Sequence, residues 1–183
     1  MTKTKSIRVT VYIPVGFHDK ILNLTGDGTP YDNVSDLFIS SIRWFVDNAM
    51  EEIAYVCDPR SADDYSGSFI FENGEYASEL LSGYKKSNSR IQTSVPEGLY
   101  RRAEFIKAYV EACLREVEND PSVNPDRLPP ITTVNNVFVI ALASYVGHVE
   151  YGLYESPLYA TWVETGQVSF QRVQEDGKKT SNE

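Results

Sequence analysis

Cysteine and histidine are scarce in this chain of 183 residues, with two of each. Cys57 and Cys113 are too few for a disulfide framework, and such usage fits a reduced cytoplasm. His18 and His148 stand apart, so no Cys/His cluster has the spacing of a metal site. Long apolar runs are missing as well. The longest, residues 137–146, includes Ser144 and is too short to cross a bilayer, and no signal peptide is visible. Bases are outnumbered by acids, 17 to 26, for a net charge of -9. Catalytic patterns are also lacking. Gly26-Asp27-Gly28 reads as a helix stop rather than a phosphate loop, and no two acids form a pair suited to acid–base work. The expectation is a non-enzyme with no metal, no cofactor and no membrane segment.

What is present is a repeat. Arg8-Val9-Thr10-Val11-Tyr12-Ile13-Pro14-Val15-Gly16 matches Arg90-Ile91-Gln92-Thr93-Ser94-Val95-Pro96-Glu97-Gly98, with Arg, Pro and Gly recurring 82 residues apart. Downstream, Asn33-Val34-Ser35-Asp36-Leu37-Phe38-Ile39 matches Thr133-Val134-Asn135-Asn136-Val137-Phe138-Val139 at an offset of 100 residues. The second copy therefore carries an 18-residue insertion between its two matches. A repeated supersecondary unit can set a whole fold.

Each copy opens on a strand pattern. Ile7, Val9, Val11 and Ile13 alternate with Arg8, Thr10 and Tyr12; Ile91, Thr93 and Val95 alternate with Arg90, Gln92 and Ser94. Pro14 and Pro96 end the strands, because proline cannot donate to a ladder and suits a helix start. Phe17, Ile21 and Leu24 then follow helical spacing. A second helix begins near Asp32 or Asn33 and carries an apolar face of Val34, Leu37, Phe38, Ile42, Phe45 and Val46. In the second copy the first helix runs over about residues 97–118. A proline-rich loop covers 119–130, and Thr132 or Thr133 caps an apolar helix reaching about Val149. The two apolar helices are the best core candidates and should cross one another.

This doubled order of strand, helix and helix resembles the ribbon-helix-helix superfamily, the group of MetJ-like and Arc-like β-ribbon readers. The resemblance covers roughly residues 5–50 and 88–150. It implies that two copies pair their strands into an antiparallel ribbon that enters the DNA major groove. With both copies in one chain, it implies an intramolecular pseudo-dimer. The expected fold is α+β and mostly helical: a tandem ribbon-helix-helix with an inserted acidic linker and a C-terminal β-hairpin.

The outward strand positions would then be Arg8, Thr10, Tyr12, Arg90, Gln92 and Ser94. Arg suits guanine, Gln suits adenine, and Ser or Thr suits either. Alternating polar residues are also what any half-buried antiparallel sheet shows to solvent. The copies differ at Thr10 against Gln92 and Tyr12 against Ser94, so a ribbon built from them should prefer an asymmetric site. The resemblance further implies phosphate clamps at the second-helix starts, Asn33, Val34 and Ser35 in one copy and Thr132, Thr133 and Val134 in the other. Free amides and the helix dipole favour an anion there, although the same residues serve as ordinary caps. Asp32 and Asp36 beside the first start would repel phosphate. Lys3, Lys5, Lys85 and Lys86 precede the strands and suit phosphate contacts.

Residues 47–79 hold nine acids and one base, Arg60, which leaves the rest of the chain close to neutral. Within them Asp58-Pro59-Arg60-Ser61-Ala62-Asp63-Asp64 reads as a loop. Phe69-Ile70-Phe71-Glu72-Asn73-Gly74-Glu75-Tyr76 reads as a hairpin around an Asn-Gly turn. The expected organisation is a first copy over 1–50, an acidic linker over 51–87, a second copy over 88–150, a hairpin over 151–174 and a disordered tail over 175–183. The function these features suggest is sequence-specific binding of double-stranded DNA by a cytoplasmic, nucleoid-associated repressor in a plasmid or viral setting. The alternatives are an accessory DNA-binding factor for transfer or partition of a mobile element, and a module that has lost DNA and binds a protein through its acidic surface. Self-association on DNA, and a protein partner at the acidic linker or the C-terminal hairpin, are further expectations.

Overall fold

A computed structural model describes residues 5–57, 68–117 and 131–150. The fold is α+β and mostly helical. Among the described residues there are five helices and one two-stranded antiparallel sheet: β1 (Ser6–Pro14), α1 (Val15–Asn23), α2 (Val34–Val56), α3 (Phe69–Ser82), β2 (Asn88–Pro96), α4 (Glu97–Val117) and α5 (Val134–Glu150). The chain divides into two compact units, Met1–Ser144 and Tyr145–Glu183. The described part of the second is the end of α5.

Strand alternation sorts the two faces of the ribbon. Val9, Val11, Ile13, Ile91 and Val95 are buried, while Arg8, Tyr12, Arg90, Gln92 and Ser94 are exposed. The register is centred on the repeat. Thr10 faces Gln92, its own equivalent 82 residues on, and Arg8 faces Ser94, the equivalent of Tyr12. The strands are thus related by a local two-fold passing between Thr10 and Gln92. A one-residue slip would turn every buried valine and isoleucine to solvent, so burial itself holds this register. Both prolines close their strands, and each is followed at once by a helix. The amide of Val15 donates to the Ser87 carbonyl at 2.8 Å, and that of Glu97 to the Lys5 carbonyl at 2.9 Å, which closes the two ends of the ribbon.

In α1 the buried side chains are Phe17 and Ile21. The chain leaves this helix through Gly26 and Gly28, whose φ values of 110° and 80° favour glycine. In α2, Leu37, Phe38, Ile42, Phe45 and Val46 are buried as their spacing requires, with Asn33 as the N-cap. Phe38 meets Phe138 edge-on, ring centroids 6.1 Å apart. These two are again repeat equivalents, 100 residues apart.

The segment expected to be a hairpin at Phe69–Tyr76 is instead part of the helix α3. Ile70, Asn73, Gly74 and Ala77 are buried, a helical period rather than an alternating one. Asn73 spends its side-chain amide on the Phe69 carbonyl one turn back, at 2.8 Å, and so does not build a turn. The stronger reason is tertiary. Glu52, buried on α2, accepts from the Ser68 hydroxyl at 2.6 Å and from the Ile70 amide at 2.9 Å, while Ser68 Oγ accepts from the Phe71 amide at 3.3 Å. A carboxylate therefore sits at the start of α3, where unpaired amides and the dipole favour it. On the far side, buried Ser144 donates to the Asn73 carbonyl at 3.1 Å, and Trp44 packs edge-on against Phe69 at 5.4 Å.

The region expected to be an acidic linker, 51–87, thus contains the last turn of α2 and all of α3. The expected loops at 58–64 and 119–130, the C-terminal hairpin at 151–174, the tail at 175–183 and Lys3 lie outside the described residues.

Replacing Glu52 by Ala strips a buried amide and a hydroxyl of their acceptor. Urea unfolding of the Glu52→Ala chain should show a loss of about 1–3 kcal/mol. Unchanged stability would mean that this carboxylate does not hold α3.

Candidate nucleic-acid interface

The outward face of the ribbon is built from three directly opposed pairs, Arg8 with Ser94, Thr10 with Gln92 and Tyr12 with Arg90. Opposed Cβ atoms in an antiparallel pair lie about 4.5–5.5 Å apart. Successive pairs on one face are two residues, roughly 6.8 Å, apart along the strand. Six side chains therefore stand on a strip about 14 Å long, of a width that the major groove, about 12 Å across, accepts. Arg8 and Arg90 occupy opposite ends on opposite strands. Tyr12 is 63% exposed, so most of its ring is open to solvent. Thr10 is half-buried, whereas the other five are exposed.

Charge is sharply divided. From Lys5 to Pro14 and from Lys85 to Pro96 the chain has five bases, Lys5, Arg8, Lys85, Lys86 and Arg90, and no acid. All five are exposed, and none makes an ion pair among the described residues. With a net of -9 for the whole chain, everything else is strongly acidic. Arg101 and Arg102, the next bases along, are different. Arg101 pairs with Glu97 and Glu104 at 3.7 and 2.7 Å, and Arg102 pairs with Asp47 at 2.6 Å. Those two cations are already engaged within the chain.

The two helix starts are unequal. At α2, Asn33 Oδ1 accepts from the Asp36 amide at 3.0 Å, which leaves the amides of Val34 and Ser35 without an acceptor among the described residues. Asp32 and Asp36 are exposed beside them. At α5 the equivalents are Thr132 and Asn136, which carry no charge. Thr133 and Asn136 cap each other: Thr133 Oγ1 accepts from the Asn136 amide at 3.3 Å, and Asn136 Oδ1 accepts from the Thr133 amide at 2.8 Å. The amides of Val134 and Asn135 have no acceptor among the described residues. Asn33 and Thr133 thus act as caps through their side chains, and only backbone amides remain to meet an anion.

Asn135 went unnoticed in the sequence except as part of the repeat. Its side-chain amide donates to the Thr10 carbonyl at 3.1 Å, which fixes the start of α5 against the middle of β1. A polar depression of about 440 Å³ opens there, with Tyr100 and Lys107 on its wall and Glu104 among them. Ser35, the equivalent residue in the first copy, makes no such bond to β2 among the described residues. Its shorter side chain cannot reach as asparagine does.

Among the described residues no three His, Cys, Asp or Glu side chains gather to hold a metal ion, and no helix is long and apolar enough to cross a membrane. No protein-family model matches the chain, and no curated protein and no solved structure matches it either.

The two faces of the ribbon should respond oppositely to truncation. The Arg8→Ala/Arg90→Ala double variant should unfold in urea within about 0.5 kcal/mol of the parent, because both groups are exposed and make no ion pair among the described residues. Ile13→Ala, at a side chain 1% exposed, should cost about 2–5 kcal/mol. Equal losses at the two faces would contradict a ribbon with one free face.

Proposed function

We propose that this chain is a tandem ribbon-helix-helix protein that folds as an intramolecular pseudo-dimer and reads double-stranded DNA in the major groove. The observation that carries the reading is the strand register. It brings Thr10 opposite Gln92 and so gathers six polar side chains on one acid-free face, two of them arginines without an ion pair among the described residues. The contact between Phe38 and Phe138 supports the pseudo-dimer independently.

Arg8 and Arg90 make bidentate contacts to guanine at the two ends of the site, one on each strand of the ribbon. Gln92 takes adenine near the centre, beside Thr10. Tyr12 and Ser94 differ while occupying equivalent positions, so the outer bases differ too. The preferred site therefore combines two symmetric guanine contacts with an asymmetric remainder. Backbone amides at the start of α5 clamp one phosphate. The start of α2 is weaker, because Asp32 and Asp36 repel the same group. Lys5, Lys85 and Lys86 contribute affinity by releasing counterions. The biological role this supports is repression by occupying a promoter, in the cytoplasm with the nucleoid. An accessory role at a transfer or partition origin uses the same contacts.

Selection from a random duplex library at about physiological salt tests the reading, with the Arg8→Ala/Arg90→Ala variant run alongside. The parent should enrich one asymmetric site, and the variant should lose it. Each lost bidentate pair should remove roughly 1–3 kcal/mol of discrimination. Absence of enrichment by the parent would overturn DNA reading. It would favour a basic protein partner for the exposed acids Glu51, Glu72, Glu75 and Glu79 on α2 and α3.

A further inference from the structure

A groove of about 590 Å³ lies between α3, the first turns of α5 and the end of the ribbon where Pro14 pairs with Asn88. Its floor is apolar: Ala77 and Ile140 are buried there, and Leu81 is half-buried. Its mouth carries Lys85 and Lys86, both exposed and without an ion pair among the described residues. None of its lining residues is acidic, in a chain with 26 acids. Asn136 adds a donor. Its Oδ1 accepts from the amide and hydroxyl of Thr133, both at 2.8 Å, and its side-chain NH₂ has no acceptor among the described residues. The volume falls within the range of small-molecule sites, about 300–1,000 Å³, which are mostly apolar with a few placed polar groups.

We propose that this groove binds a small organic acid, with an apolar body on Ala77, Leu81 and Ile140 and a carboxylate between Lys85, Lys86 and the Asn136 amide. The choice of an anion follows from charge: two unpaired ammonium groups face a lining without a carboxylate. The choice of an amphipathic body follows from the floor. A second consequence rests on the DNA reading above. The ligand and the DNA backbone would draw on the same two lysines, so bound acid would weaken DNA affinity.

Calorimetric titration of the intact chain with octanoate and, separately, with octan-1-ol tests the site without DNA. Octanoate should bind with a Kd of about 1 mM or tighter, at least tenfold more tightly than the alcohol. The Lys85→Met/Lys86→Met variant should reduce octanoate to the level of the alcohol. Ser78→Trp, at an exposed position on the groove wall, should abolish binding of both while leaving the far-ultraviolet circular dichroism unchanged. No heat with octanoate, equal affinity for acid and alcohol, or full binding by both variants would overturn the proposal. Octanoate binding by a chain that enriches no DNA site would leave the groove assigned and remove the DNA reading. Octanoate binding that leaves the affinity for a selected site unchanged would remove only the competition.

Discussion

The pairing of β1 with β2 is the constraint on which the remaining structure depends. A two-stranded ribbon is not stable by itself in water, so its apolar face has to be covered. Val9, Val11, Ile13, Ile91 and Val95 are covered here, and helices from both halves of the repeat pack against the two strands. Closing a loop of this length is entropically unfavourable, and the buried valines and isoleucines offset it only in one register. That register puts one pair of repeat equivalents, Thr10 and Gln92, opposite one another. Phe38 and Phe138, equivalents in the second match of the repeat, also meet. The outward face is a by-product of this burial: once the apolar side chains turn inward, Arg8, Tyr12, Arg90, Gln92 and Ser94 have nowhere to go but out.

The departures from two-fold symmetry are as informative as the symmetry. Among the described residues α3 has no counterpart in the other half. It is anchored by Glu52 at its start and by Ser144 against the Asn73 carbonyl. The equivalent of Ser144 is Trp44, which packs on Phe69 of the same helix. Two residues that the repeat makes equivalent thus serve α3 in different ways, one by a hydrogen bond and one by a ring. The helix starts diverge too. Asp32 and Asp36 against Thr132 and Asn136 make one start repel anions and leave the other open to them. Through Asn135, the open start is tied to the ribbon.

The acidity of the chain is compatible with a cationic strip because charge is segregated rather than averaged. Fields act over about 8–10 Å at physiological salt, so a local group of unpaired bases governs what approaches it. Arg101 and Arg102 show the other outcome, with their charges taken up by Glu97, Glu104 and Asp47. Exposed pairs of this kind add little stability. Their consequence here is to remove two cations from the surface that a polyanion would meet.

Features set by the backbone's own period were legible in the sequence. Alternation placed both strands and their faces, Pro14 and Pro96 marked their ends, helical patterning located α1, α2, α4 and α5, and the caps were narrowed to Asp32 or Asn33 and to Thr132 or Thr133. Each of these depends on neighbours within a turn or two of the chain. The decisions left to tertiary structure involve residues far apart. An Asn-Gly pair inside an acidic stretch reads locally as a turn, yet Glu52, 18 residues before Ile70, supplies the cap that makes the segment a helix. Which strand residues face each other, which arginines stay unpaired among the described residues, and that Lys85 and Lys86 border an apolar groove follow only when segments about 50 residues and more apart are brought together. Local periodicity specifies which side of an element is apolar. What that side meets is decided by burying all such sides at once.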